Sequence, residues 1–310
     1  MNQGVPRGMR LKTLMDHEIG SPYLLVFSEA HSDYEDWITH LGGPDDNARL
    51  LMKMLRGSGT LIDVGANIGT ISVPVAKRGT RVFAIEMVPD HCLRLWSAAS
   101  QNRLTNLHIV QVAAGDYDGM ITFQGTDASA NVYAEKNGTP SVCLRIDTLL
   151  DTVSIVEPLV MKIDVEGHEA AVLRGSLQTI EKFRPLVLFE AIEIEGDPNS
   201  AARKSKQLLE DLRYALFLQR GSVLSPKAST DIQEGHVSDF LAAPIEKLDG
   251  LANLLGRELR PLTDDERIGW VREMAGFPMK NHQQHAAAVL ERWRREDLPL
   301  YEKAKAVLAR

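Results

Sequence analysis

Residues 60–70 read TLIDVGANIGT, a short apolar run followed by a loop that contains two glycines. The apolar run has the length and the branched side chains of a buried strand. We predict a helix over residues 69–78, ended by Gly79 and distorted by Pro74, whose ring cannot continue a helical interior. The stretch therefore predicts a strand, a tight loop and a helix, which is the first unit of an α/β sheet.

The same alternation continues along the chain. Strand-like runs lie at residues 81–87, 107–114, 158–165 and 185–192, with helical segments between them. Strands that alternate with helices indicate a parallel sheet with crossover helices. Residues 119–149 differ, since GMITFQG and SVCLRI predict an antiparallel excursion from the sheet. Two further runs, YALFLQ and DFLAAP, are predicted to be the final two strands.

Composition limits the class of protein. The chain has 310 residues, of which 44% are hydrophobic and 25% charged, as in ordinary globular proteins. Its net charge of −7 argues against nucleic acid as the main partner. The first residues lack the apolar segment of a signal peptide, and no stretch has the length of a membrane span. We therefore expect a cytoplasmic protein.

The chain divides into three predicted segments. Residues 1–50 have little pattern and are interpreted as a lead-in or lid, with Tyr34 and Trp37 as anchors. Residues 51–246 hold the α/β unit. Residues 247–310 predict a helical extension, which either covers part of the sheet or joins subunits of a homo-oligomer; an ordinary pair of surface helices is the simpler alternative.

The glycine loop lies where open α/β sheets bind ligands, at the carboxyl end of a strand. A dinucleotide fingerprint would need glycines at positions 65, 67 and 70, but the chain has Gly65, Asn67 and Thr70. Its pattern, Asp-x-Gly-x-x-x-Gly, is instead typical of a loop around the methionine end of S-adenosylmethionine. Glu86 ends the next strand, where a carboxylate accepts hydrogen bonds from ribose hydroxyls. Glu86 alone would serve NAD equally well, and a tight turn beside a solvated glutamate is the structural alternative.

A second polar cluster follows the strand at residues 158–165, in the sequence KIDVEGHE at 162–169. In an extended strand Lys162, Asp164 and Glu166 would share one face. Such a face is costly to bury in an apolar core, so it predicts a polar cleft. Glu166 could instead cap the next helix, and Glu169 is interpreted as favouring the helix dipole. The candidate catalytic residues are Asp164, Glu166, His168 and Glu190.

These side chains also offer oxygen and imidazole ligands to a metal. Carboxylate clusters serve acid–base chemistry as well, and zinc-type spacing is absent from the sequence. We therefore assign no metal site. His282 and His285, three residues apart on a predicted helix, are interpreted as surface residues.

Four stretches identify a known family. They are IDVGANIGT at 62–70, KIDVEGHEAAVLRGS at 162–176, RPLVLFE at 184–190 and DFLAAP at 239–244. Many methyltransferases share the first, whereas the second at this distance is specific. Residues 61–244 resemble the FkbM family of S-adenosylmethionine-dependent methyltransferases, and Tyr34-Glu35 is similar to a Tyr-Glu pair found upstream in that family.

The resemblance implies a fold and an activity. The fold would be a seven-stranded, mostly parallel, Rossmann-like class I methyltransferase sheet with an antiparallel last strand. The activity would be O-methylation of a hydroxyl group on a sugar or a natural-product-like small molecule, with S-adenosylmethionine as cofactor. Asp164, Glu166 and His168 would lie beside the transferred methyl group. The candidate cofactor-binding residues are Asp63, Gly65, Ala66, Asn67, Gly69, Thr70, Glu86, Met87 and Ala114.

Methylation of an alcohol calls for a base that takes the hydroxyl proton. Asp164 is our first choice, His168 the second, and Glu190 would orient the base. One alternative function is a nicotinamide-dependent oxidoreductase, which would need the missing third glycine. The pattern Tyr-x-x-x-Lys at Tyr301 and Lys305 lies in the terminal segment and is interpreted as chance. Another alternative is a non-catalytic Rossmann-like binding module.

Overall fold

The computed structural model describes residues 5–30, 32–124, 131–132, 138–192, 200–230, 237–276 and 280–309. The strands are β1 Met9–Asp16, β2 Ser21–Ser28, β3 Thr60–Val64, β4 Arg81–Glu86, β5 Leu107–Gln111, β6 Ala113–Ala114, β7 Gly119–Gln124, β8 Asn131–Val132, β9 Thr139–Leu144, β10 Leu159–Ile163, β11 Leu186–Ile192, β12 Tyr214–Arg220, β13 Val223–Lys227, β14 Val237–Pro244 and β15 Glu258–Leu259. The α-helices are α1 Asp33–Leu41, α2 Asp46–Leu55, α3 Ser72–Lys77, α4 Pro89–Gln101, α5 Ile146–Leu150, α6 Glu169–Arg174, α7 Leu177–Phe183, α8 Ala201–Asp211, α9 Leu251–Leu255, α10 Asp264–Gly276, α11 Lys280–Glu296 and α12 Leu298–Leu308.

The main sheet has the strand order β15-β13-β12-β14-β11-β10-β3-β4-β5. Strands β11, β10, β3, β4 and β5 are parallel, whereas β14 is antiparallel to both of its neighbours. The prediction of a mostly parallel α/β sheet with an antiparallel last strand is confirmed. The predicted count of seven strands is wrong, since nine are present in the described residues. The chain reverses at Gly221 (φ +48°) and returns as β13 beside β12, and β15 then adds to that edge.

Helix α3 begins at Ser72 and not at position 69. The N–H groups of Val73 and Val75 donate to the main-chain oxygens of Gly69 and Ile71, at 2.9 and 3.2 Å. Pro74 lies between them and has no N–H to donate, so one helical bond is missing near the start of the helix. The antiparallel excursion is confirmed: β7 pairs with β9 in a separate four-stranded sheet of order β6-β9-β7-β8.

The N-terminal segment is more regular than its sequence predicted. Strands β1 and β2 form an antiparallel hairpin, and Leu25, Val26 and Phe27 are fully buried in the core that covers one face of the main sheet. Helix α2 runs through the predicted boundary at residue 50, and its buried leucines belong to the same core. The described residues 5–30 and 32–50 therefore pack with the sheet, and a role as a lid over the cavity stays a prediction.

The C-terminal segment has two parts. Leu251 and Leu255 of α9 join the core that contains α2. Helices α10, α11 and α12 pack around Trp293 in a cluster of their own. No helix in the described ranges is both long and apolar enough to cross a bilayer.

Candidate functional site

A cavity of about 420 Å³ opens where β3, β4 and β10 end, a volume within the usual range of small-molecule sites. All four candidate catalytic residues line it. The predicted cofactor-binding residues that line it are Gly65, Ala66, Asn67, Thr70, Glu86, Met87 and Ala114. Two distant stretches of the sequence thus meet in one cavity because parallel strands carry both of them to the same edge of the sheet.

Asp63 and Gly69 do not line the cavity, and the structure gives both of them structural contacts. Asp63 is fully buried and accepts a hydrogen bond of 2.6 Å from Ser72 Oγ. Burial raises its pKa, and the nearby ammonium group of Lys162 works in the opposite direction. Gly69 has φ +92°, and a Cβ there would overlap the Leu95 side chain. This glycine therefore allows α4 to pack closely.

The loop after β3 is fixed by main-chain contacts. The N–H groups of Gly65 and Ala66 both donate to the carbonyl oxygen of Ile85, at 2.9 and 3.1 Å. Gly65 has φ +78°, and a Cβ on it would collide with the main-chain oxygen of Asp164. Glycine is thus needed at this position so that the loop after β3 can contact the turn after β10. This requirement holds whether or not a ligand is bound.

Glu86 holds the same loop from β4. Its carboxylate accepts hydrogen bonds of 2.8 Å from the N–H groups of Asn67 and Val88, and the side chain is 7% exposed. A carboxylate has about four lone-pair positions, so each oxygen can accept a further bond from a ligand hydroxyl. Glu86 can therefore shape the loop and bind a ribose at once.

The turn after β10 differs from the predicted extended strand. The strand ends at Ile163, and Glu166 and Gly167 have φ values of +55° and +97°. The Glu169 carboxylate accepts hydrogen bonds from the N–H groups of Val165 and Gly167, at 3.2 and 3.0 Å. Glu166 therefore lies in a turn and not in the strand, so strand alternation does not decide which way it faces. The hydrogen bonds to Glu169 hold that turn.

Lys162 also lines the cavity, although it was not among the predicted site residues. Its Nζ lies 3.2 Å from Asp164 Oδ2 and 3.4 Å from Asp63 Oδ1, and it donates to the Gly65 oxygen at 3.0 Å. Burial lowers the pKa of Lys162, but the two carboxylates outweigh burial and hold that pKa above its ordinary value. The charged ammonium group therefore ties Asp164 to the glycine loop. The sequence could have indicated Lys162 as a site residue, because it shares a strand face with Asp164.

Glu190 and Asp239 face each other across the antiparallel pair β11–β14. Burial raises the pKa of Glu190 to about 10, helped by the charges of Asp164 and Asp239. Burial also raises the pKa of Asp239. Glu190 therefore carries a proton at neutral pH. Asp239 was not a candidate; the pairing of DFLAAP with the strand that carries Glu190 places it here.

Two features bear on proton transfer and on metals. His168 lines the cavity, and burial lowers its pKa, so its imidazole is neutral and can accept a proton. Asp164, Glu166 and Glu190 each offer a carboxylate oxygen, and these oxygens lie within 4.8 Å of one another. Such a set suits a hard divalent cation as well as acid–base chemistry, and the assignment of no metal stays a prediction.

The N-terminal segment supplies another part of the lining. Tyr34, Trp37, Asp45 and Asn47 all reach the cavity. The Tyr34 hydroxyl lies 3.1 Å from Thr70 Oγ1, and its ring stacks on Trp37 with centroids 5.9 Å apart. Asp45 caps α2 by accepting from the Ala48 N–H at 2.7 Å. The Asp-Asp-Asn run at 45–47 signals a helix start but gives no sign of a binding role.

Comparison with known proteins supports the resemblance. Residues 63–216 match the Methyltransferase FkbM domain. The hexuronic acid methyltransferase AglP of Haloferax volcanii is 30% identical over 175 residues, which cover 54% of this chain and 71% of that protein.

Solved structures show more distant likenesses. Methyltransferase FkbM from Methylobacillus flagellatus KT is 19% identical with a TM-score of 0.39, over 60% of this chain and 44% of that one. An O-methyltransferase from Bacillus cereus, solved in complex with SAH, is 16% identical with a TM-score of 0.39, over 64% of this chain and 78% of that one. The two sequence matches decide the assignment and confirm the predicted family: the chain belongs to the FkbM family of methyltransferases.

Proposed function

We propose that this protein is an S-adenosylmethionine-dependent O-methyltransferase that acts on a hydroxyl group of a sugar-like small molecule. Membership of the FkbM family makes it a methyltransferase. The observation that carries the proposal is one cavity that holds both the loop fixed by Glu86 and the carboxylate of Asp164. A sugar-like acceptor is supported by the relative named for hexuronic acid.

The residues around the glycine loop fit the cofactor. Glu86 has acceptor positions left for ribose hydroxyls, and Gly65, Thr70, Met87 and Ala114 line the same space. When bound, S-adenosylmethionine supplies an electrophilic methyl group on a positively charged sulfur. The carboxylates of the cavity complement that charge.

Asp164 is the proposed general base. S-adenosylmethionine would supply the methyl group, and the Asp164 carboxylate would take the proton that the acceptor hydroxyl loses when it is methylated. Lys162 keeps the carboxylate in place at 3.2 Å. Glu190, which is protonated at neutral pH, does not compete for the proton. Holding the reactants in line supplies a large share of the catalysis.

Cofactor binding is tested by calorimetry with S-adenosylhomocysteine. Glu86→Ala should weaken binding by at least tenfold, because a hydrogen bond to a charged group is worth about 1.5–3 kcal/mol. The affinity of Glu86→Gln, which keeps one acceptor oxygen, should lie between those of Glu86→Ala and the parent protein. The matched control is Glu181→Ala on the exposed side of α7, which should bind like the parent protein.

Activity is tested by mass spectrometry of simple glycosides incubated with the protein and S-adenosylmethionine. Thermal melts compare S-adenosylhomocysteine with NAD, the ligand that the alternative function would require. Methylated product and a melting temperature raised by S-adenosylhomocysteine support the proposal. Unchanged affinity in Glu86→Ala, or stabilisation by NAD alone, would refute it.

A further inference from the structure

One wall of the cavity is a continuous polar network that leads away from the cofactor loop. Gln219 Nε2 donates to Asn47 Oδ1 at 3.0 Å, and the Asn47 amide in turn bonds to Asp239. Asp239 is the strand partner of Glu190, whose carboxyl oxygen lies within 4.8 Å of an Asp164 oxygen. The wall therefore ends at the proposed base, where an acceptor molecule must lie.

The same wall carries an aromatic surface. Tyr34 and Trp37 stack with an interplanar angle of 29°, both line the cavity and both are partly exposed to it. Rigid aromatic rings offer a large contact area with one polar end. Such rings suit the C–H face of a sugar ring, while the neighbouring carboxylates and amide suit its hydroxyls, since a carboxylate accepts hydrogen bonds that hydroxyls donate.

The charge of the cavity lining is strongly one-sided. The carboxylic side chains are Asp45, Glu86, Asp164, Glu166, Glu190 and Asp239; of these, Glu190 holds its proton at neutral pH and adds no charge. Among the described lining residues, Lys162 is the single lysine or arginine, and two carboxylates already pair with it. Bringing a further carboxylate into such a site is unfavourable, because like charges repel strongly where water is excluded.

We infer that this wall, formed by Tyr34, Trp37, Asp45, Asn47, Glu190 and Asp239, is the acceptor subsite and that it selects sugars without a carboxylate. The methylated oxygen is then a ring hydroxyl and not an acid group. This inference rests on the proposed function and deepens it. It also separates this chain from the relative named for hexuronic acid, since the described residues of its cavity offer no unpaired cation for a uronate.

The test compares methyl glucoside, methyl glucuronide and methyl glucosaminide, which differ in charge on one ring. With S-adenosylmethionine we expect kcat/KM for the glucoside to exceed that for the glucuronide by at least about tenfold. Saturation-transfer NMR on the complex with S-adenosylhomocysteine measures the same preference without turnover. Equal or better use of the glucuronide would overturn the inference, whereas efficient use of the glucosaminide would support it.

Two variants locate the selectivity. Asp45→Asn removes one charge and keeps the helix cap, because asparagine caps as well as aspartate. In this variant the ratio of kcat/KM for the glucoside to kcat/KM for the glucuronide should fall several-fold. Trp37→Ala should raise the KM for the glucoside about tenfold with unchanged affinity for S-adenosylhomocysteine. Its matched control is Trp96→Ala on α4, where the side chain is 46% exposed, and it should change neither quantity. An unchanged ratio in Asp45→Asn would contradict the inference.

The failures are distinguishable. If S-adenosylhomocysteine does not bind, the proposed function fails. If it binds and the glucuronide is preferred, the proposed function stands and only the subsite inference fails.

Discussion

The carboxyl groups of one cavity differ in proton affinity because their surroundings differ. Burial raises the pKa of Asp45 to about 6 and that of Glu190 to about 10. Asp164 is 39% exposed and contacts the Lys162 ammonium group. Carboxyl groups in unlike surroundings commonly divide acid and base roles, and the proposed base is the exposed one, Asp164.

Asp164→Asn keeps the shape of the side chain and removes its basicity. We expect kcat to fall by about 10²- to 10⁴-fold, the usual contribution of a general base, with little change in affinity for S-adenosylhomocysteine. The measurement is steady-state methyl transfer together with calorimetry. Asp151→Asn, in the exposed loop after α5, is the control and should be unaffected.

Two results would reassign the role of Asp164. Full turnover in Asp164→Asn would give the base to His168, whose pKa burial lowers. Activity that a chelator abolishes and magnesium or manganese restores would instead favour a cation bound by Asp164, Glu166 and Glu190.

Glu190 predicts a pH dependence of stability. Its pKa is about 10 in the folded chain and about 4.3 when unfolded. Between these values the folded state binds more protons, so stability falls as pH rises through that window. Glu190→Gln mimics the protonated acid and removes this loss. The melting temperature of the variant should therefore gain several degrees on the parent protein between pH 5 and pH 9.

Thermal melts across that pH range check the prediction, with Glu181→Gln on the exposed side of α7 as the control. If the difference in melting temperature between Glu190→Gln and the parent protein stayed constant with pH, Glu190 would be charged in the folded protein and the prediction would be wrong.

At the level of elements, the site is built from turns that follow short strands. Strand β10 ends at Ile163, and the turn after it is held by Glu169. Helix α3 starts three residues later than its sequence predicted, and Pro74 lies near its start. Local patterns located β3, β4 and β10 and the loops after them, but the turn geometry depends on side chains that reach back to main-chain N–H groups.

At the scale of the whole molecule, the C-terminal helices are separate from the cavity. All described residues that line it precede Phe240, whereas α10, α11 and α12 have their own apolar cluster. Trp270 of α10 lies 4.3 Å from the Arg220 guanidinium of β12. We propose that residues 247–310 support the edge of the sheet or an assembly of subunits and carry no chemistry.

Two truncations test this role. A chain ending at Thr263 loses α10, α11 and α12 and should keep its affinity for S-adenosylhomocysteine within about twofold, with a lower melting temperature. A chain ending at Leu248 also loses two buried core leucines of α9, and emptying one such leucine site costs about 2–5 kcal/mol. Melts, light scattering and methyl transfer measure stability, assembly and activity. If the Leu248 truncation altered none of them, the supporting role would be refuted.

The sequence by itself determined the family, the α/β class, the parallel strands of the sheet with the antiparallel strand DFLAAP, and most of the loops that line the cavity. These are local properties: a buried strand is an apolar run, and glycine spacing identifies the loop after it. Parallel strands then bring Glu86 and Asp164 to one edge without further information.

Only the tertiary structure decided which residues line the proposed acceptor wall, where the extra edge strands lie and what raises the pKa of Glu190. Asp239 reaches the site through its strand register with Glu190. Asn47 reaches it from α2, nearly two hundred residues earlier in the chain, through its side-chain amide. The pKa of Glu190 depends on burial and on charges from four other positions. Such contacts join residues far apart in sequence, and no local pattern of apolar and polar residues encodes them.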